Sequence, residues 1–220
     1  MSGRPLLLGH RGARAVKSIP ENTLASFDRA LADGCDGFEF DVRLTADWQA
    51  VVCHDPKVGN IEIAAAARDA VEGLSGLQEV LQRYQQGAFL DIELKVSGLE
   101  ETTLALLARF RPRRGFVISS FLPEVLRAVH AADSTTALGL ICEKQTELRP
   151  WRELPVQYVI VQWKLVTYGL LDEIKAANRK AFVWTVNDHE AMKRFAGWGV
   201  DGIISDDTRL LAESFETEKE

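Results

Sequence analysis

The sequence predicts an α/β protein, a TIM-type (β/α)8 barrel formed by residues 1–220 as a single domain. Three observations carry this expectation. Eight short β-rich runs recur along the chain, stretches with apolar residues at helical spacing separate them, and glycines fall at the returns. A parallel return needs a crossover of a dozen residues or more, so repeated strand–helix units imply parallel strands, and eight of them point to a closed barrel. The first run is 5–9, leading into a helix marked by Leu24, Phe27 and Leu31, with Asn22 as its cap just after Pro20 and Gly34 as its stop. The second is 37–42. Residues 50–54 also read as a strand, yet only seven residues separate them from Val42. That gap suits a hairpin-like return through Thr45, Ala46 and Asp47, which places His54 on an excursion after strand two and not on a ninth barrel strand. A short helix at 64–67 and a longer one through Leu77, Val80, Leu81 and Tyr84 follow, closed by Gly87. The remaining runs are 88–94, 115–120, 136–142, 158–162, 181–186 and 202–205, with a clear helical pattern at Leu122, Val125, Leu126 and Val129 and a helix stop at Gly199. The acidic stretch 213–220 reads as a solvated tail.

Composition narrows the function. With 46% hydrophobic and 26% charged residues the chain is globular and not disordered, and at 220 residues it buries roughly 70% of its unfolded surface without staples. A net charge of −6, with no Lys/Arg run longer than two, argues against nucleic-acid and polybasic membrane partners. Cys35, Cys53 and Cys142 are an odd, widely spaced set that reads as three buried thiols in a reducing compartment. The short Leu6-Leu7-Leu8 run is no signal-peptide core and no stretch reaches the length of a membrane span, so a soluble cytoplasmic protein without stable membrane association is expected. No oligomeric state is specified.

Strand alternation isolates the residues that carry chemistry. In Phe38-Glu39-Phe40-Asp41-Val42, Glu39 and Asp41 share one face; in Asp91-Ile92-Glu93-Leu94-Lys95, so do Asp91, Glu93 and Lys95. Both sets lie at strand C-terminal ends, where barrel enzymes place their sites. Ionised carboxylates converging there are costly unless compensated, and all-oxygen ligation favours a hard ion, Mg²⁺ or Ca²⁺. Pairing of Glu39 and Asp41 with Arg43 and Arg14 is the structural alternative. His10 and His54 both close β-rich runs beside abrupt turns at Gly12 and Pro56, and two imidazoles across a cleft supply one acid and one base. His130 and His189 sit in helical stretches and read as surface residues. Arg11 and Lys95 bring positive charge suited to a phosphate oxyanion, although Arg11 can equally form a rim salt bridge to Asp41 or Glu21. A Schiff-base role for Lys95 is disfavoured, because neighbouring carboxylates raise an amine's pKa.

At these residues the sequence resembles the glycerophosphodiester phosphodiesterase family. The family's motifs stand here as His10-Arg11-Gly12, Pro20-Glu21-Asn22-Thr23, Glu39-Phe40-Asp41, His54-Asp55-Pro56 and Glu93-Leu94-Lys95. Ser119-Ser120-Phe121, Trp184-Thr185-Val186-Asn187 and the run from Gly199 to Asp206 fit its later strands. No single motif is strong, but their order and spacing are specific. The resemblance implies hydrolysis of glycerophosphodiesters to sn-glycerol 3-phosphate and an alcohol. It implies Glu39, Asp41 and Glu93 as ligands of Mg²⁺ or Ca²⁺, and His10 and His54 as the acid–base pair. It also implies Arg11 and Lys95 on the phosphate, and Phe121 and Trp184 against the glycerol carbons. The sequence departs from the family after Pro56, where the usual insertion is shortened, which leaves substrate size and preference open; a more open site would admit bulkier leaving groups. A lysophospholipase D-like activity on lipids keeps the same chemistry, but no basic amphipathic helix is evident to support it. A non-catalytic phosphate-binding barrel is disfavoured by the complete acid–base and ligand set.

Overall fold

The computed structural model describes residues 4–216. Strand β1 (Leu6–His10) is followed by helix α1 (Leu24–Ala32) and strand β2 (Gly37–Leu44). The expected excursion comes next: β3 (Ala50–Val52) runs antiparallel to β2 with Val42 opposite Val52, and a small hairpin joins β4 (Lys57–Val58) to β5 (Ile61–Glu62). The chain then alternates α2 (Leu77–Tyr84), β6 (Phe89–Leu94), α3 (Glu100–Arg109), β7 (Phe116–Ser120), α4 (Pro123–Ala132), β8 (Leu138–Cys142) and β9 (Tyr158–Gln162). It ends with α5 (Tyr168–Ala176), β10 (Lys180–Trp184), α6 (His189–Gly197), β11 (Gly202–Ser205) and α7 (Thr208–Glu213). β1 pairs in parallel with both β2 and β11, which closes an eight-stranded parallel barrel.

Period-two alternation builds two cores. The outer faces of β2 and its neighbours meet the helices: Phe38 stacks on Phe27 of α1 at 4.2 Å and takes the edge of Tyr84 of α2 at 4.9 Å. Inside the barrel, Leu8, Phe89, Val117, Tyr158, Ile160, Phe182 and Ile204 form an apolar plug. Gly37 lets β2 and β6 approach at its base, since a Cβ there would lie 1.8 Å from the Phe89 carbonyl oxygen. Above the plug the interior turns acidic: Gly37, Glu39 and Asp41 climb β2 in register with Phe89, Asp91 and Glu93 of β6. The strand ends therefore carry the charge while the apolar plug holds the walls together.

Several expectations are corrected. Thr23, not Asn22, caps α1, its hydroxyl accepting from the Ser26 N–H, while Asn22 is buried in a left-handed conformation (φ 58°) serving the site below. The expected helix at 64–67 is a 3-10 turn at Ile63–Ala65. The β8–β9 crossover contains no α-helix; Pro150 and Pro155 break the pattern, and a 3-10 turn at Arg149–Arg152 buries Trp151 in its place. Cys53 is half-buried, whereas burial pushes the Cys35 and Cys142 thiols up to about 12. Of the acidic tail, Glu213 ends α7 and Phe215 packs on the core; residues 217–220 lie outside the described residues. His189 is exposed as expected, but His130 is half-buried. Among the described residues no helix is long and apolar enough to cross a membrane.

Candidate active site

The C-terminal ends of the strands open on a cavity of about 360 Å³. Its walls include His10, His54, Arg11, Lys95, Glu39, Glu93, Phe121 and Trp184, and Asp41, only 1% exposed, stands behind them. All nine residues singled out from the sequence therefore converge.

The chain leaves β1 through two left-handed residues, Arg11 (φ 51°) and Gly12 (φ 82°). At Gly12 a side chain would be strained and would meet Ser26 Oγ at 2.4 Å, so only glycine makes this turn. The turn aims the Arg11 N–H at Glu39 Oε2 (3.0 Å) and its guanidinium at Glu21 (2.7 Å) and Asp41 (3.3 Å). Both salt-bridge partners considered for Arg11 are thus occupied at once. Asn22 donates from Nδ2 to Asp41 Oδ2 at 2.8 Å and accepts the Asp41 N–H at 3.3 Å, a reciprocal clamp on a carboxylate that must not rotate. Arg43 and Arg14 are committed elsewhere, to the His54 carbonyl and to Glu21 and Asp206 respectively.

Glu39, Asp41 and Glu93 each present an oxygen, and these oxygens lie within 4.8 Å of one another. Their charge is incompletely balanced. Lys95 Nζ stands 2.7 Å from Glu93 and 3.3 Å from Asp41, and burial, which would lower its pKa, is outweighed by these carboxylates, so the amine is held charged and unsuited to a Schiff base. Burial, then the neighbouring carboxylates Asp41, Glu93 and Asp91, drives Glu39 well above the usual carboxylate range. Burial and Asp41 push Glu93 up to about 8. Asp41 alone is held low against its burial, by Lys95 and Arg11. Glu39 Oε1 is buried with no hydrogen-bond partner, and the buried Asp41 Oδ1 and Glu93 Oε1 have only the Lys95 ammonium beside them, without a well-formed hydrogen bond. Three buried carboxylates with an oxygen each inside that 4.8 Å distance form a donor set that fits a hard divalent cation.

The imidazoles differ in their support. His10 Nδ1 lies 2.7 Å from Asp206 and its Nε2 lies 3.9 Å from Glu39 Oε2. His54 Nδ1 lies 2.7 Å from Asp55, a largely exposed carboxylate, and burial depresses its pKa, helped by Arg11 and Lys95 and opposed by Asp55 and Asp41. Opposite the charged wall, Phe121 and Trp184 meet edge to face at 5.8 Å, Trp184 Nε1 donates to the Ile160 carbonyl, and Lys95 Nζ lies 5.6 Å from the Phe121 ring centre.

Asp91 shares its strand face with Glu93 but sits one layer lower, outside the three-oxygen cluster. It is fully buried, Ser119 Oγ donates to it at 2.5 Å, and burial pushes it up to about 7 despite that bond, with Asp41 adding to the rise. A carboxyl raised in the folded state stabilises the fold below its ordinary pKa near 4, and that contribution disappears as pH rises through about 7. Asp91→Asn, neutral at every pH, should therefore gain stability over the parent protein between about pH 4 and pH 7. Denaturant titrations of both proteins with chelator present test this, and a pH-independent difference between them would refute it. Sequence reasoning also passed over Asp206, Asn22 and Glu21 as functional groups; all three fall inside quoted motifs, which was the available signal.

A model of the glycerophosphoryl diester phosphodiesterase family matches residues 10–74 and 74–210. A glycerophosphodiester phosphodiesterase of Caldanaerobacter subterraneus subsp. tengcongensis is 30% identical over 238 aligned residues, covering 94% of this chain and 96% of that protein. Among solved structures, a glycerophosphodiester phosphodiesterase from Thermotoga maritima superposes with a TM-score of 0.83 at 23% identity, covering 97% of this chain and 99% of that one. A phosphodiesterase from Oleispira antarctica, solved in complex with the product sn-glycerol-3-phosphate, gives 0.84 at 23% identity, covering 97% and 98%. At these identities the structures establish the shared barrel, while the family match and the 30% relative extend along nearly the whole chain. The chain belongs to the glycerophosphoryl diester phosphodiesterase family, a family of phosphodiester hydrolases.

Proposed function

We propose that this chain hydrolyses glycerophosphodiesters to sn-glycerol 3-phosphate and an alcohol, with His10 and His54 as its proton-transfer groups. One observation carries the assignment: two imidazoles, Arg11 and Lys95 line a single cavity that also exposes two members of a buried carboxylate cluster. The sn-glycerol-3-phosphate bound by the Oleispira antarctica phosphodiesterase is the product expected from such a site. A Mg²⁺ or Ca²⁺ ion held by Glu39, Asp41 and Glu93 would supply Lewis-acid polarisation of the phosphate.

The chain's own residues do the rest. Arg11 and Lys95 draw the phosphate oxygens toward the cluster, and Phe121 and Trp184 pack on the glycerol carbons and keep water from that side. One imidazole accepts the proton of the attacking hydroxyl while the other delivers a proton to the departing alkoxide. In a glycerol diester the attacking hydroxyl can be the substrate's own, held beside phosphorus so that proximity lowers the barrier. Its attack expels the alcohol and gives a cyclic phosphate, which water then opens to glycerol 3-phosphate with the two imidazoles exchanging roles. The compact excursion between β2 and α2 leaves the mouth accessible to varied alcohols.

A panel of glycerophosphocholine and lysophosphatidylcholine, each with Mg²⁺, Ca²⁺ or EDTA, tests the assignment. Release of glycerol 3-phosphate from glycerophosphocholine is expected only with a divalent ion. Turnover confined to lysophosphatidylcholine, or full activity in EDTA, would overturn it.

A further inference from the structure

The loop after β11 carries a carboxylate that the acid–base scheme above leaves without a role. Asp206 is only 17% exposed at its side chain, and its two oxygens are fully engaged. Oδ1 faces His10 Nδ1 at 2.7 Å and accepts from Arg14 Nη1 at 3.2 Å; Oδ2 accepts from Asn187 Nδ2 at 2.7 Å. Asn187 cannot swing away, because its Oδ1 accepts both the Asp206 N–H and the Ser205 hydroxyl, each at 2.9 Å. Burial would raise this carboxyl, but His10, Asn187 and Arg14 outweigh it and hold Asp206 ionised, so it can only accept hydrogen bonds. An acceptor at Nδ1 requires the proton there, which leaves Nε2, on the ring edge nearer Glu39, as the atom facing the reaction. Arg14 extends the network: its Nε donates to Glu21, which in turn holds Arg11. His54 has no equivalent, since its partner Asp55 is 76% exposed.

We propose that Asp206, clamped by Asn187, is the positioning residue that fixes the His10 imidazole with its proton on Nδ1 and Nε2 turned to the cavity, an assignment whose kinetic consequences rest on the phosphodiesterase reading above. The proton exchanged with substrate enters and leaves at Nε2, the Nδ1 proton stays on the ring, and Asp206 remains unprotonated throughout. Asn187 and Asp206 thereby acquire a purpose within the two C-terminal motifs, beside Trp184, which lines the cavity.

The test is a double-mutant cycle with a spectroscopic arm. Asp206→Asn is expected to lower kcat on glycerophosphocholine about a hundredfold or more with KM little changed, because an amide donor opposite Nδ1 favours the wrong tautomer. In a His10→Ala background the same change should cost less than about threefold, as no imidazole remains to be positioned. Equal losses in both backgrounds would make Asp206 a structural residue and overturn the assignment. Long-range ¹⁵N–¹H spectra of histidine-labelled native protein should show neutral His10 protonated at Nδ1, and finding it protonated at Nε2 would also overturn the assignment. That spectrum needs neither a variant nor turnover. If the native protein shows the Nδ1 tautomer but no activity on glycerophosphodiesters, the phosphodiesterase reading fails while the positioning role stands.

Discussion

Replacing His10 or His54 with Ala is expected to reduce kcat by at least about a hundredfold, with KM changed far less. Both imidazoles line the cavity beside the carboxylate cluster, yet neither is a major part of the packed core. Their removal takes away proton transfer without opening a large internal void. The two losses should separate by leaving group. A p-nitrophenyl ester departs as a weakly basic phenolate and needs little protonation, so the variant lacking the acid recovers on it while the variant lacking the base does not. Whichever variant recovers on the p-nitrophenyl ester lacks the acid of the first step, and the other lacks the base. Kinetics on glycerophosphocholine and on a p-nitrophenyl diester, with circular dichroism to confirm folding, decide the matter. Near-native turnover in either variant would remove that histidine from the mechanism.

A second large effect is expected on stability. Glu39, Asp41 and Glu93 are buried together with three oxygens lacking well-formed hydrogen bonds, and Lys95 and Arg11 offset their charge only in part. A divalent ion binding only the folded chain at a hundred times its Kd should add about 2.7 kcal/mol, roughly 5–10 °C in Tm for a domain of this size. The gain should shrink toward low pH, where protons held by Glu39 and Glu93 compete with the ion. Glu93→Gln should abolish most of it by removing one ligand charge. Melting curves with and without millimolar Mg²⁺ or Ca²⁺ provide the measurement. An unchanged Tm with both ions would mean that the cluster does not serve as a cation site.

The barrel was legible because strand alternation and helical spacing are local signals that the tertiary structure reinforces. Runs such as 37–42 and 88–94 became β2 and β6 within a residue or two at each end, and the hairpin return at Thr45 formed as its length required. The β8–β9 crossover was less legible: its prolines mark a break, but no local pattern shows that Trp151 is buried in the helix's place, with the Arg179 guanidinium 5.1 Å from its ring centre. Asn22 misled for a related reason. Asparagine before an apolar run is a good cap by local chemistry, yet here a buried carboxylate 19 residues away claims its amide and Thr23 takes the cap.

The sequence by itself determined the parallel barrel and the acidic end of its interior, since period and spacing dictate which side chains share a face and which end they reach, and the family motifs added Phe121 and Trp184 to the residues expected there. Only the tertiary structure decided what each of those residues touches. That Asp206 backs His10 across 196 positions, that Asn22 clamps Asp41 and that Asp91 is buried one layer below Glu93 are consequences of barrel closure and strand register. No local pattern encodes the Asp206–His10 contact, because it arises only when the last strand hydrogen-bonds to the first.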